Sequence, residues 1–209
     1  MNIASTDRAA LFRECGLPDN ARFILCAGAI EKDHGFREAI WTFDILKYVY
    51  PDLWLLIAGD GPARADMEAF NRSRSREGNR VRILGVRRDV PQLLHEAELV
   101  WICGRRGGRS LAVEALAAGR PVVARRRQDL LELLGDGETG FLIASGLASD
   151  YALASRRILD NPTLRSRLGE AARNRARCFA LPRILEQWVD LYADIIPPAR
   201  CNPGLLLSI

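Results

Sequence analysis

At 209 residues the chain is long enough for one α/β domain with a substantial core, and two full domains would be cramped. Its 48% hydrophobic and 27% charged residues are typical of globular proteins, and the sequence contains neither a membrane-spanning run of about 20 apolar residues nor a secretory signal at its start. The net charge is only +4, but of the 30 basic residues just Lys32 and Lys47 are lysine, so guanidinium groups dominate the positive charge.

Short aliphatic runs alternate along the chain with longer segments of helical period, which is typical of a parallel sheet with crossover helices. The runs predicted as strands are Arg22–Gly28, Leu53–Ala58, Val81–Gly85, Leu99–Cys103, Pro121–Ala124 and Gly140–Ile143. The segments predicted as helices are Gly35–Tyr48, Ala63–Ser73, Asp89–Glu96, Leu111–Ala118, Asp129–Leu134, Asp150–Leu159, Pro162–Cys178 and Pro182–Ile195. This order predicts an α/β fold, a Rossmann-like doubly wound parallel sheet of about six strands with additional C-terminal helices.

The expected domain organisation has three parts. Residues 1–20 form a linker or short N-terminal helix, residues 21–196 form the Rossmann-like domain, and residues 197–209 form a proline-containing tail. The last predicted helix has one apolar face, which must pack on this domain, bind a partner or pair with a second copy, so we expect a homo-oligomer. That face consists of Leu185, Trp188, Val189, Tyr192 and Ile196.

The cysteines are odd in number and widely spaced, and no two of them form a C-x-x-C pair. This spacing favours free thiols in a reducing cytosol, so we expect a cytoplasmic protein without a structural zinc site. The residues are Cys15, Cys26, Cys103, Cys178 and Cys201.

Four segments, in this order and at this spacing, resemble the C-terminal domain of retaining GT-B glycosyltransferases of group one, also called family four. They are GDGP at Gly59–Pro62, ILG at Ile83–Gly85, VEALAAGRPVVA at Val113–Ala124 and GDGETGFLI at Gly135–Ile143. The resemblance runs from about residue 23 to residue 192. It implies an enzyme that transfers a sugar from a nucleotide diphosphate donor, such as a UDP- or GDP-sugar, with retention at the anomeric carbon and without a metal cofactor.

In that family an N-terminal lobe supplies most of the acceptor site. Residues 1–17 hold one short helical pattern, which the resemblance equates at most with the linker from that lobe. We therefore expect a donor-binding half that needs an N-terminal lobe and is inactive alone. A nucleotide sugar is the expected ligand, nucleic acid is not an expected partner, and peripheral contact with a membrane stays open.

Glu114 matches the second glutamate of the family's E-x7-E motif, which by resemblance binds the donor ribose. A carboxylate that opens a helix after a parallel strand can accept two hydrogen bonds from a vicinal diol, although it can also simply complement the helix dipole. Eight positions earlier stands Arg106, where the family has its first glutamate. Arg105, Arg106 and Ser110 flank a glycine-bearing turn that feeds a helix N-terminus, so this segment predicts anion binding, with an exposed loop as the alternative.

The turn after the first strand begins at Gly28, and in the family it carries an Arg and a Lys that neutralise the pyrophosphate. Here those positions hold Ala29 and His34. Lys32 is close enough in sequence to replace one cation, and His34 could become charged beside a diphosphate. The alternative is a solvent-facing His34 in a site that has lost its function.

Gly85 and Val86 begin the stretch whose backbone contacts the base in the family, so its base preference is not readable. Arginines follow the third, fourth and fifth strands at the sheet edge where ligands bind. We expect either a relocated phosphate site or a donor with its own carboxylate, such as a uronic acid. These residues are Arg87, Arg88, Arg105, Arg106, Arg109, Arg125, Arg126 and Arg127.

One other function remains open, and two more are disfavoured. A catalytically degenerate nucleotide- or anion-binding module of the same fold would explain the departures at Ala29, His34 and Arg106. A nucleic-acid surface is disfavoured because the chain has no recognised motif for it. A dehydrogenase is also disfavoured, since no G-x-G-x-x-G follows the first strand.

Overall fold

The computed structural model describes residues 8–74 and 79–195, which belong to two compact units, Met1–Ala176 and Arg177–Ile209. The first unit contains the whole sheet. The predicted domain bounds of 21–196 stay a prediction, and the predicted tail of 197–209 lies outside the described residues, as do Cys201 and Ile196.

The sheet has six parallel strands in the order β3-β2-β1-β4-β5-β6, which confirms the doubly wound, Rossmann-like prediction. Three strands have the predicted bounds, while β1 and β4 each end one residue early and β5 is shifted by one residue. The strands are β1 (Arg22–Ala27), β2 (Leu53–Ala58), β3 (Val81–Gly85), β4 (Leu99–Ile102), β5 (Val122–Arg125) and β6 (Gly140–Ile143).

Helices connect the strands and continue beyond them, as the helical periodicity predicts. The helix after β4 begins at Arg109, two residues earlier than predicted, so Arg109 and Ser110 belong to its first turn. A short 3-10 helix also occupies Lys32–His34. The α-helices are α1 (Arg8–Glu14), α2 (Phe36–Leu46), α3 (Arg64–Arg74), α4 (Val90–Glu96), α5 (Arg109–Ala117), α6 (Gln128–Leu131), α7 (Ala148–Leu159), α8 (Pro162–Ala176) and α9 (Leu181–Ile195).

The core explains why the central strands read as continuous apolar runs. Phe23, Ile24 and Leu25 are consecutive on β1 and all are fully buried, because helices cover both faces of the sheet. Each such side chain contributes about 1.5–3 kcal/mol by its removal from water. The strand positions are therefore fixed, and the loops at the carboxyl edge are held on a rigid frame.

The strand order determines where along the sheet the ligand-binding crevice is expected. β1 pairs in parallel with both β2 and β4, so the direction of winding reverses between β1 and β4. The loops that leave the carboxyl ends of β1 and β4 diverge to opposite faces and leave a crevice between them. The segments after Ala27 and after Ile102 line that crevice.

The second unit contains a 3-10 turn, Arg177–Phe179, and α9. The rings of Trp188 and Tyr192 lie one helical turn apart on α9, with centroids 5.8 Å apart. Cys15, Cys26, Cys103 and Cys178 are free thiols. Among the described residues no helix is long and apolar enough to cross a membrane.

Candidate functional site

Two adjoining cavities lie at the carboxyl ends of β1 and β4. The wide cleft has a volume of about 630 Å³, within the usual range for ligand sites, and the inner pocket has a volume of about 60 Å³. Both are lined by Ala27, Gly28, Gly108 and Leu111, so they form one continuous depression. Gly28 extends from the end of β1 between them with a φ of 141°, and a Cβ atom placed there would meet no atom within 4 Å.

The start of α5 presents unpaired backbone N–H groups to the wide cleft. Gly107 and Gly108 both have left-handed backbone angles, with φ of 71° and 83°. The N–H groups from Gly107 to Ser110 donate no hydrogen bond within the described residues. A helix start with free donors and positive potential binds anions. Gly107, Gly108, Arg109 and Ser110 all line the wide cleft.

Glycine is required at Gly108 for a steric reason as well. A Cβ atom there would lie 2.4 Å from Cγ2 of Ile102, which is buried at the end of β4. The close approach brings the helix start down onto the sheet edge, so that the backbone itself forms the floor of both cavities.

Arg105 and Arg106 have different surroundings although they are adjacent. Their backbone N–H groups both donate to the carbonyl of Asp33, at 2.8 and 3.3 Å. Neither side chain forms a salt bridge with any described residue, and both are exposed. Arg106 lines the inner pocket, whereas Arg105 lines neither cavity. Of these two arginines, only Arg106 therefore offers a free guanidinium group to a cavity.

His34 also lines the inner pocket, and its ring is largely covered. Its Nδ1 lies 2.6 Å from the carbonyl of Ala29, which can only accept, so Nδ1 carries a proton. Its Nε2 lies 3.5 Å from a carboxylate oxygen of Glu31. The imidazole therefore has a local partner on each nitrogen. Lys32 is exposed and lines neither cavity.

Glu114 lies one turn into α5 and lines the wide cleft. Its carboxylate has no hydrogen-bond or salt-bridge partner among the described residues, although its residue surface is exposed. Partial desolvation by the surrounding cleft raises the pKa of this carboxyl above its ordinary value. An unpaired, partly desolvated carboxylate is suited to accept hydrogen bonds from hydroxyl groups of a ligand.

The loop between β3 and α4 forms the opposite wall. Arg87 is bound to Asp89 and to Glu14, whose carboxylate lies 3.1 Å away, and these contacts raise the pKa of the guanidinium further. Arg88 lines the wide cleft and forms no salt bridge with the described residues. The wall therefore offers one free cation, Arg88, among the described residues of this loop.

Gly85 and Val86 lie outside both cavities. Gly85 is buried and its carbonyl accepts from the Gly59 N–H at 2.7 Å, which fixes the end of β3. Val86 is 78% exposed and lines a neighbouring cavity of about 420 Å³ together with Ala10 and Leu11 of α1. The residues that follow Val86 and line the wide cleft are Arg87, Arg88, Val90 and Pro91.

The arginines after β5 are mostly paired. Arg126 lies 3.7 Å from Asp136, and Arg127 forms hydrogen bonds to Asp129 and to two loop carbonyls. Arg109 donates to the carbonyl of Asp129 at 2.5 Å. The structure thus divides the arginine cluster: some guanidinium groups hold the loops together, and Arg88 and Arg106 are free at the cavities.

Comparison with known proteins shows which family the chain belongs to. A family model described as Glycosyl transferases group 1 matches residues 7–175. The chain belongs to the group 1 glycosyl transferases. The alpha-D-kanosaminyltransferase of Streptomyces kanamyceticus is 31% identical over 192 residues, which cover 90% of this chain and 49% of that protein. The chain spans about half the length of the curated relatives that it matches over most of its own length.

Solved structures of low sequence identity share the group 1 fold. Anabaena Alr3699/HepE in complex with UDP aligns with a TM-score of 0.81 at 22% identity, and the alignment covers 91% of this chain and 53% of the HepE chain. The C-terminal domain of a glycosyl transferase group 1 family protein, LpcC, from Francisella tularensis aligns with a TM-score of 0.69 at 18% identity, and covers 83% of this chain and 92% of its own.

Several cavity residues of this group 1 chain were not singled out from the sequence. Pro91 lines the wide cleft, and Cys26 and Trp101 line the inner pocket. Cys26 and Trp101 stand in the apolar runs of β1 and β4, which predict burial in the core and do not indicate a cavity wall. No group of three or more His, Cys, Asp or Glu side chains within the described ranges could hold a metal ion.

Proposed function

We propose that this chain is the donor-binding half of a glycosyltransferase, which moves a glycosyl group from a nucleotide diphosphate sugar to an acceptor. One observation carries the proposal: the free carboxylate of Glu114 and the free N–H groups at the start of α5 line the same cleft of a group 1 chain. Glu114 accepts from the ribose hydroxyls, and the N–H groups from Gly107 to Ser110 bind the diphosphate.

The positive side chains complete the donor site. Arg106 and His34 face the inner pocket and contact the second phosphate or the sugar, while Lys32 and Arg105 contribute longer-range positive potential. Gly28 allows the phosphates a close approach, and the backbone around Gly85 and Val86 borders the base. A donor with its own carboxylate would also suit Arg106.

The family supports further parts of the proposal. The transfer retains the configuration at the anomeric carbon and needs no metal cofactor. The acceptor is bound by a separate N-terminal lobe, so this chain is inactive alone. A cytoplasmic location and self-association through the apolar face of α9 also belong to the proposal, and they are supported by the free cysteines and by the exposed Leu185, Trp188 and Tyr192. Light scattering at high protein concentration tests the last point, and a monomer there would contradict it.

A calorimetric titration with UDP, GDP and their sugars tests the donor site without demanding catalysis. The proposal predicts saturable binding of at least one nucleotide diphosphate, and binding of none would contradict it. Arg106→Glu should weaken that binding, because it places a negative charge at the inner pocket. Unchanged or tighter binding would show that Arg106 does not contact the anion.

A catalytically degenerate nucleotide-binding module is the second candidate. It is favoured by Ala29, which offers no cation after β1, and by the ring of His34, which is occupied by Ala29 and Glu31. The two candidates differ in turnover. Mixing the chain with a candidate N-terminal lobe, nucleotide sugars and acceptors distinguishes them, since only a transferase releases nucleotide diphosphate in an acceptor-dependent way.

A further inference from the structure

Arg127 connects three parts of the donor-site wall. It lies between β5 and α6, and its side chain is only 11% exposed. Its Nη1 donates to the carbonyl of Gly104 at 2.9 Å, and its Nη2 donates to the carbonyl of Gly107 at 2.6 Å. One guanidinium group therefore bonds both ends of the turn that precedes α5.

Asp129 fixes the orientation of that guanidinium group. Its two carboxylate oxygens accept from Nε and Nη2 of Arg127 at 3.0 and 2.9 Å, in the paired geometry that matches a guanidinium fork. The backbone carbonyl of Asp129 also accepts from Arg109 in the first turn of α5. Asp129 neutralises Arg127, and four of the five N–H donors of Arg127 are already used. Arg127 is therefore suited to hold the loop and not to bind a phosphate itself.

The opposite side of the turn rests on the loop after β1. The carbonyl of Asp33 accepts from the N–H groups of Arg105 and Arg106, and a Cβ atom at Gly35 would lie 2.1 Å from the backbone nitrogen of Gly104. The segment 104–108 is thus held between two rigid neighbours. Without Arg127, the carbonyls of Gly104 and Gly107 lose these donors, and the hydrogen bonds left to hold residues 104–107 within the described structure are those from Arg105 and Arg106 to Asp33.

We propose that Arg127 is a positioning residue for diphosphate recognition. By holding the Gly104 and Gly107 carbonyls, it keeps the left-handed backbone of Gly107 and Gly108 in place, so that the next N–H groups are directed into the wide cleft. The inference rests on the proposed donor-binding function. It assigns to a residue on β5's loop a role in shaping the anion site on the β4 side.

Two measurements on the full chain test this role. Arg127→Ala, Arg127→Lys and the control Arg72→Ala are compared with wild type. Arg72 is an exposed residue of α3 whose one salt bridge within residues 8–74 and 79–195 is to Glu68 at 4.0 Å, so its substitution removes the same charge away from the cleft. The first measurement is amide hydrogen exchange, without ligand, at Arg105 and Arg106, whose N–H groups donate to the carbonyl of Asp33 within the same turn. The second is titration with UDP, GDP and the free nucleosides.

Arg127→Ala should exchange these amides about 10-fold faster and bind the nucleotide diphosphate about 10-fold more weakly, with nucleoside affinity unchanged. Arg127→Lys should be intermediate, since an ammonium group cannot bond two carbonyls and Asp129 in the same fork. Arg72→Ala should match wild type.

Unchanged exchange in Arg127→Ala would overturn the inference, and so would an equal loss of nucleoside and diphosphate affinity, because that would indicate a general structural role. If wild type binds neither UDP nor GDP, the proposed donor function fails. The exchange measurement still decides then whether Arg127 holds the segment.

Discussion

The two loops that border the crevice differ in how they present positive charge. After β4, the backbone N–H groups of Gly107–Ser110 and the Arg106 side chain are free and line the cavities. After β1, Lys32 lines neither cavity, and His34 is bound to Ala29 and Glu31. The comparison indicates that anion recognition in this chain depends mainly on the β4 side, where fixed backbone donors are stronger than exposed, solvent-screened side chains.

Gly108→Ala should produce the largest effect, because it damages the β4 side directly. The left-handed backbone costs alanine about 1–2 kcal/mol, and the clash with Ile102 adds about 1–3 kcal/mol. We expect a corresponding loss in the free energy of unfolding in urea and the loss of nucleotide binding at conditions where the protein stays folded.

Gly137→Ala is the matched control for that substitution. Gly137 also has a left-handed backbone, with φ of 77°, but a Cβ atom there meets nothing within 4 Å. It should show only the backbone cost of about 1–2 kcal/mol and bind nucleotide as wild type does. Equal destabilisation of the two variants would show that the approach of α5 to Ile102 is not required.

Glu114→Gln should have the next largest effect and tests the ribose role. Loss of a charged acceptor should weaken UDP or GDP binding by about 10-fold, and the preference for the ribonucleotide over its 2′-deoxy analogue should shrink. Calorimetric titration measures both, with the exposed Glu170→Gln as control. Retained preference in Glu114→Gln would contradict the assignment.

The raised pKa of Glu114 predicts that the stability of the wild-type chain depends on pH, and Glu114→Gln tests this. Because desolvation raises the pKa of Glu114 in the folded chain, the unfolded chain ionises first as pH rises. Wild-type stability therefore falls between the unfolded pKa of about 4.3 and the higher folded pKa. Glu114→Gln removes that fall, so its stability relative to wild type should increase across this window in urea unfolding. A constant difference would show that the carboxyl is fully hydrated.

Arg106→Gln and Lys32→Gln compare the two loops with the same loss of charge, and both effects should be small. Arg106 faces the inner pocket, so Arg106→Gln should weaken diphosphate binding by about 2- to 5-fold, as for the loss of an exposed ion pair. Lys32→Gln should weaken it by about twofold or less. The Arg106 effect should also decline with added salt. A larger loss for Lys32→Gln would reverse the comparison between the loops.

The sheet could be predicted from the sequence because buried strands require continuous apolar runs and their ends carry turn residues. Leu53–Ala58, Val81–Gly85 and Gly140–Ile143 were found at their observed bounds for this reason. The first residue of a helix was harder to predict. Helix α5 begins at Arg109 because two left-handed glycines precede it, and the sequence does not indicate how far the turn that contains them extends.

The candidate site was predictable only in part. Glu114 could be placed because its position in α5 follows from the strand before it, whereas Ser110 was expected in the preceding turn and lies in the first turn of α5. The pairing of the arginines could not, because it depends on which carboxylates and carbonyls lie nearby in space. Arg106 and Arg127 look equivalent in the sequence, yet one is free at the inner pocket and the other is bound to Gly104, Gly107 and Asp129.

The central claim is that a nucleotide diphosphate binds where the start of α5 meets Glu114. A titration of the isotope-labelled chain with UDP and with GDP, followed by amide NMR shifts, tests this most directly. The account predicts saturable shifts that are largest at Gly107, Gly108, Arg109 and Ser110. Saturable binding with its largest shifts elsewhere, for example in α7 and α8, or no binding at all, would contradict it.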